Sequence, residues 1–84
     1  MKTIVVETED GIESFLGKRT LLMCGNYFYV GDLIGVNDTC VKLDNAAIVY
    51  ETGALDAPTY KDAQNLPSPW YVRLQFVESF GAGR

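Results

Sequence analysis

The run Tyr27 to Val36, YFYVGDLIGV, constrains this chain more than any other stretch. Aromatic and β-branched residues dominate it and Asp32 is its one charge, which is the composition of a long β-strand. Phe28, Val30, Ile34 and Val36 share one parity of the pleat, and Tyr27, Tyr29 and Leu33 share the other. Both faces are therefore apolar, a pattern that suits a strand covered on two sides. Gly31 and Gly35 fall on the second parity. A glycine inside a strand marks a bend, a bulge or a close backbone approach, so this strand is expected to turn a corner between two sheets. The expected fold is mainly β, a small, strongly bent antiparallel barrel.

Eighty-four residues make one domain, spanning 1–84. A chain of that length buries only about 60 to 65% of its unfolded surface. Yet 48% of the residues are hydrophobic, and that surplus points to burial between subunits as well as in a core. A homo-oligomer is expected. The formal charge of -4 argues against a broad phosphate-neutralising surface and leaves room only for a local nucleic-acid site. No apolar run is long enough to span a bilayer, and MKTIVVETED lacks the apolar core of a signal peptide, so a cytoplasmic protein with no membrane partner is expected. Cys24 and Cys40 then read as reduced thiols on strands. Without a histidine anywhere they cannot complete an ordinary zinc site, and no metal or cofactor is expected. Asn37-Asp38-Thr39 matches a glycosylation acceptor, which has no meaning without secretion. Nor is there a base for a cysteine or serine nucleophile, a glycine-rich phosphate loop or a spaced acid pair. Asp32, Asp38 and Asp44 recur every six residues but diverge on a bending strand and its turns, so an enzyme is not expected.

Taken in order, Thr3 to Glu7 has strand composition and reads as a short edge strand or a pairing arm. Asp10 with Glu13 forms a capping-box pattern, and Ile12, Phe15 and Leu16 give one apolar side to a short N-terminal helix that Gly17 ends. Lys18 to Cys24 is the first barrel strand, joined by the Gly25-Asn26 turn to the central strand as a hairpin. Asn37-Asp38 turns the chain into Thr39 to Leu43, and Asp44-Asn45 interrupts before Ala46 to Glu51. One strand with a bulge is favoured over two strands with a turn. Thr52 to Pro69 holds all three prolines and reads as a long variable loop. Trp70 to Phe76 and Val77 to Phe80 read as a strand running into a short final strand, the fourth and fifth of the barrel, with residues 81–84 as a frayed tail.

This order resembles the Sm and Sm-like family, which includes the bacterial RNA chaperone Hfq, over roughly residues 10 to 80. The first family motif reads here Tyr29-Val30-Gly31-Asp32-Leu33-Ile34-Gly35-Val36-Asn37, and the second matches in the spacing of VRLQFVESF, where Val72, Arg73, Gln75, Val77 and Phe80 fall on the pattern. The departures are Leu74 in place of a glycine, Asn37 in place of an aspartate, and Thr39 where the family offers a residue for base stacking. The histidine-containing motif of Hfq is absent. The chain looks like a divergent member of the kind met in phage genomes or environmental sequences.

The resemblance implies a homo-oligomeric ring of about five to seven subunits that binds single-stranded RNA at its pore and acts in RNA metabolism or as an RNA chaperone. An open barrel leaves unpaired edges, and strand pairing between subunits would remove them, with Phe76, Val77 and Phe80 as the expected interface residues. In such a ring Asn37, Asp38 and Thr39 would meet Arg73 and Gln75. Arginine stacks on bases or pairs with phosphate, and amides bond base edges, so these five are the expected RNA-binding residues. In the bland reading, Arg73 pairs with Asp38 or another acid and only stabilises the assembly. A second functional expectation is an assembly module of the same fold that has lost RNA and offers the 52–69 loop to a protein partner.

Overall fold

A computed structural model of the chain describes residues 11–84. The expected strand at Thr3 to Glu7 and the expected cap at Asp10 lie outside the described residues. Six strands follow a short turn: β1 (Arg19–Cys24), β2 (Phe28–Val36), β3 (Cys40–Glu51), β4 (Asp62–Asn65), β5 (Trp70–Arg73) and β6 (Val77–Ala82). The expected N-terminal helix is instead a single 3₁₀ turn, Ile12–Phe15, with Gly11 at its N-cap and no side-chain cap. The reason is local. Gly17 turns left-handed at φ +82°, and its N–H donates to Leu33 O at 2.7 Å, so the chain is captured by β2 before a second helical turn has room to form.

All six strands belong to one antiparallel sheet ordered β4-β3-β2-β1-β6, with β5 also on β3. Among the described residues the sheet is not closed into a barrel, and it has six strands rather than five. Registers show where the extra strand comes from. β4 pairs with Ala47 to Glu51 and β5 with Cys40 to Leu43, so the two form one lane along β3, broken where Pro67 and Pro69 cannot donate to a ladder. β4 lies inside the stretch that composition marked as loop. From β5 the chain crosses to the other end of the sheet through one 3₁₀ turn, Leu74–Phe76, and β6 pairs with β1. Such a short crossing demands a sheet rolled until its outer lanes approach each other.

The roll encloses a first cluster of Leu22, Leu33, Val41, Leu43, Ala46 and Val72, against which Phe15, Trp70 and Val77 pack. On the opposite side Leu21, Val30, Ala47 and Val49 form a second cluster, with Met23, Phe28 and Tyr60 against it. β3 feeds both and runs as a single interrupted strand, as expected. Its Val41 and Leu43 enter the first cluster, whereas Ala47 and Val49, of the same parity, enter the second. The switch occurs at Asn45, whose φ of +49° breaks the alternation. Asn45 N–H donates to Ser68 Oγ at 3.0 Å, its Nδ2 donates to Asp32 Oδ2 at 3.0 Å, and its carbonyl accepts from Arg19 Nη1 at 2.6 Å. Across from it, the β2 register shifts between Val30 and Asp32. A Cβ on the intervening Gly31 would stand 2.9 Å from Leu43 Cβ and 3.1 Å from Asp44 O, so the corner requires glycine there.

The tail is not frayed. Gly81 and Ala82 pair with Leu21 and Thr20, and Gly83 N–H donates to Arg19 O at 2.9 Å. Arg84 then acts as a clamp. Its Nη1 donates to the carbonyls of Ala54, Ala57 and Thr59 at 3.1, 2.9 and 2.9 Å, and its guanidinium lies 4.1 Å from the Tyr60 ring centroid. One side chain thereby satisfies three loop carbonyls and roofs the second cluster with the loop.

Candidate site at the turn between β2 and β3

Asn37, Asp38 and Thr39 link β2 to β3. The turn is built by Asn37, whose Oδ1 accepts from Thr39 N at 2.8 Å, Cys40 N at 2.8 Å and Thr39 Oγ1 at 3.1 Å. This is the self-capping that makes asparagine a turn residue. Register brings in the second motif: Cys40 pairs with Arg73, and Leu74 N–H donates to Thr39 O at 2.9 Å.

The result is an open cleft of about 220 Å³ lined by Asp38, Thr39, Arg73, Leu74 and Gln75. Four of the five expected RNA-binding residues thus share one cleft. Asn37 does not line it. It borders an adjoining cleft, also of about 220 Å³, with Gly35, Val36, Cys40, Lys42 and Tyr71. Its carbonyl oxygen is committed to the turn, so only its Nδ2 faces outward chemistry. Among the described residues the ion pairs are Arg19–Asp32 at 3.5 Å and Lys61–Glu51 at 3.4 Å. Arg73 is exposed and makes no ion pair there with Asp38 or another described acid of the same chain. The cleft therefore offers a guanidinium without an ion pair among the described residues, a hydroxyl, a primary amide and one carboxylate.

Of the expected interface residues, Phe76 is 57% exposed, Phe80 is exposed and makes an edge-on contact of 5.7 Å with Phe15, and Val77 is half-buried against the first cluster. Two neighbours of the site escaped the sequence reading as members of it. Lys42 and Tyr71 are register partners, and the Lys42 ammonium stands 5.9 Å over the Tyr71 ring. The available signal was parity, since Cys40 and Lys42 alternate with the core residues Val41 and Leu43.

Titration is perturbed elsewhere. Burial, and then the charge of Glu78, raises the Cys24 thiol. Burial also raises the Tyr29 phenol, with Cys24, Tyr27 and Tyr50 adding to the shift. Among the described residues no group of three histidine, cysteine or acidic side chains is placed to hold a metal, and no helix is long and apolar enough to cross a membrane. Comparison with protein-family models, curated proteins and solved structures returns no match.

Proposed function

We propose that the chain is an Sm-like, ring-forming protein that binds single-stranded RNA through the Arg73 cleft and serves RNA metabolism or RNA chaperoning. The observation that carries the reading is the exposed Arg73, without an ion pair among the described residues, beside Gln75 and Thr39 in a cleft formed by the β2–β3 turn and the second motif segment. A guanidinium stacks on a base or pairs with a phosphate, and the Gln75 amide suits a base edge in an unpaired strand. Ring assembly rests on the outer sides of β5 and β6. Among the described residues each is a strand paired on one side only, and the exposed Phe76 and Phe80 lie on or beside β6. In the ring, one subunit's β6 would pair with the next subunit's outer lane.

The second reading is a protein-interaction module on the same fold. It is favoured by Leu55, 66% exposed in the 52–69 segment, which borders a cavity of about 230 Å³ with Leu21, Met23, Tyr60 and Phe80. Native mass by light scattering, with and without a short oligouridine or oligoadenine, separates the two. A ring that takes up oligonucleotide in a salt-dependent manner, and loses it with Arg73→Ala at unchanged mass, supports RNA binding. A ring indifferent to both oligonucleotides returns the function to the 52–69 segment, and a monomer overturns ring assembly.

A further inference from the structure

The Arg73 cleft does not end at the turn. Along β5, Arg73 and Tyr71 stand on the same side of the strand, because Val72 between them is buried in the first cluster. Along β3, their register partners Cys40 and Lys42 stand on that same side, alternating with the buried Val41 and Leu43. Positions two apart on a strand are separated by about 6.8 Å, a stride within reach of neighbouring nucleotides of one strand. The floor beside Lys42 is Gly35, its partner on β2, which carries no side chain to fill the second cleft.

The chemistry of that cleft differs from the first. Tyr71 is 55% exposed, a large aromatic face that the fold does not use for its core. The Lys42 ammonium, 5.9 Å from the ring centroid, sits near the roughly 6 Å limit of cation–π attraction, so little is lost when it turns to a phosphate. Among the described acids, Asp32 is engaged by Arg19 and Asn45, Asp44 follows Lys42 two positions on along the same side of β3, and Asp38 borders the Arg73 cleft. A local cationic pair, Lys42 and Arg73, flanks an aromatic platform on a chain whose overall charge is -4.

We propose that Lys42 and Tyr71 form a second nucleotide subsite, in which a base stacks on the Tyr71 ring and Lys42 holds the adjoining phosphate. This rests on the reading of the Arg73 cleft as an RNA site, and extends it from a point contact to a path for one single strand.

The test uses the intact protein and a fluorescein-labelled oligouridine of about eight nucleotides, within the ordinary range of a single-strand site. Tyr71→Ser is expected to weaken binding roughly 5- to 150-fold, the range of a lost base–aromatic stack, while Tyr71→Phe keeps most of it. Lys42→Gln should reduce the slope of log affinity against log salt by about 0.7, the share of one phosphate contact on a single strand. The same oligonucleotide without bases should bind the parent and Tyr71→Ser alike. If Arg73→Ala abolishes binding but Tyr71→Ser and Lys42→Gln do not change it, the second subsite is overturned and the Arg73 reading stands. If the parent binds no oligonucleotide, both fall. If Tyr71→Ser shifts the native mass and leaves affinity unchanged, this face is an interface between copies of the chain, which also overturns the subsite.

Discussion

Around Leu22, Leu33, Val41 and Leu43, the packed neighbours come chiefly from strands and from the two 3₁₀ turns. Around Val30 and Val49 the cover is of another kind. Beside Met23 of β1 and Phe28 of β2 it includes Tyr60 and Gly83, where an added Cβ would fall 2.6 Å from Val30 Cγ2, and these two belong to irregular segments tied together by Arg84. The first cluster is enclosed mainly by hydrogen-bonded ladders. The second depends in part on a roof fixed largely by one side chain. Cooperative unfolding should therefore be governed by the first cluster, and local opening by the roof over the second.

The largest effect expected from that contrast is in the first cluster. Leu43 is fully buried, and Leu43→Ala should cost about 2 to 5 kcal/mol, because the surrounding ladders cannot collapse into the cavity. Val49→Ala removes less volume from a cluster whose roof can settle, and should cost about 1 to 2 kcal/mol. Urea midpoints of both variants at equal slope give the comparison. Equal losses would mean that the roof is as rigid as the sheet, and the contrast would fail.

A sharper version uses glycines. Gly31→Ala drives a methyl into Leu43 Cβ and the Asp44 carbonyl, so the sheet corner must move, at about 1 to 3 kcal/mol of global stability. Gly83→Ala meets Val30 Cγ2 at 2.6 Å and the backbone of Thr20 and Leu21 at 3.1 Å, yet it sits on a tail that can lift. Its expected signature is faster amide exchange at residues 52–61 and 81–84 with little change in the urea midpoint, and Arg84→Ala should give the same pattern more weakly. If Gly83→Ala unfolds the chain as Gly31→Ala does, the roof is part of the global cooperative unit.

The same contrast marks how far the sequence can be read. Alternation in Leu22, Leu33, Val41 and Leu43, and the two glycines of β2, carry the strands, the corner and the turn that bears Asp38 and Thr39, because these depend on period and on steric need within a few residues. β4 was not legible, since Asp62-Ala63-Gln64-Asn65 is exposed throughout and has no apolar face; its pairing is backbone hydrogen bonding dictated by β3. The Arg84 clamp was not legible either, because a residue at the end of a glycine-rich run gives no sign that three distant carbonyls await it. At the candidate site, Arg73 and Gln75 came from motif spacing. Lys42 was missed because its significance lies in its cross-strand partner, Tyr71, which a single run of sequence does not reveal.

The smallest expected effect is chemical. Cys24 lies in the first cluster and Cys40 beside the candidate site, half-exposed. A thiol reagent should label Cys40 in the folded protein and reach Cys24 only on opening. Alkali probes the same difference thermodynamically. Burial, with Glu78 adding to it, holds the Cys24 thiol above its ordinary value of 9.0 in the folded chain. As pH rises past that value the unfolded chain releases this proton while the folded chain retains it. Stability is therefore fully present below the unfolded value and is lost progressively as pH climbs toward the folded one. Tyr29, raised in the same direction from 10.0, adds a second loss that begins at higher pH. Urea midpoints measured in steps from neutral pH into this alkaline range should fall for the parent and for Cys40→Ala. Cys24→Ala should start lower, for want of packing, but fall less steeply over the first part of the range. Parallel curves for the two variants would show that Cys24 ionises as freely in the fold as out of it, and that the first cluster is more open to water than its ladders imply.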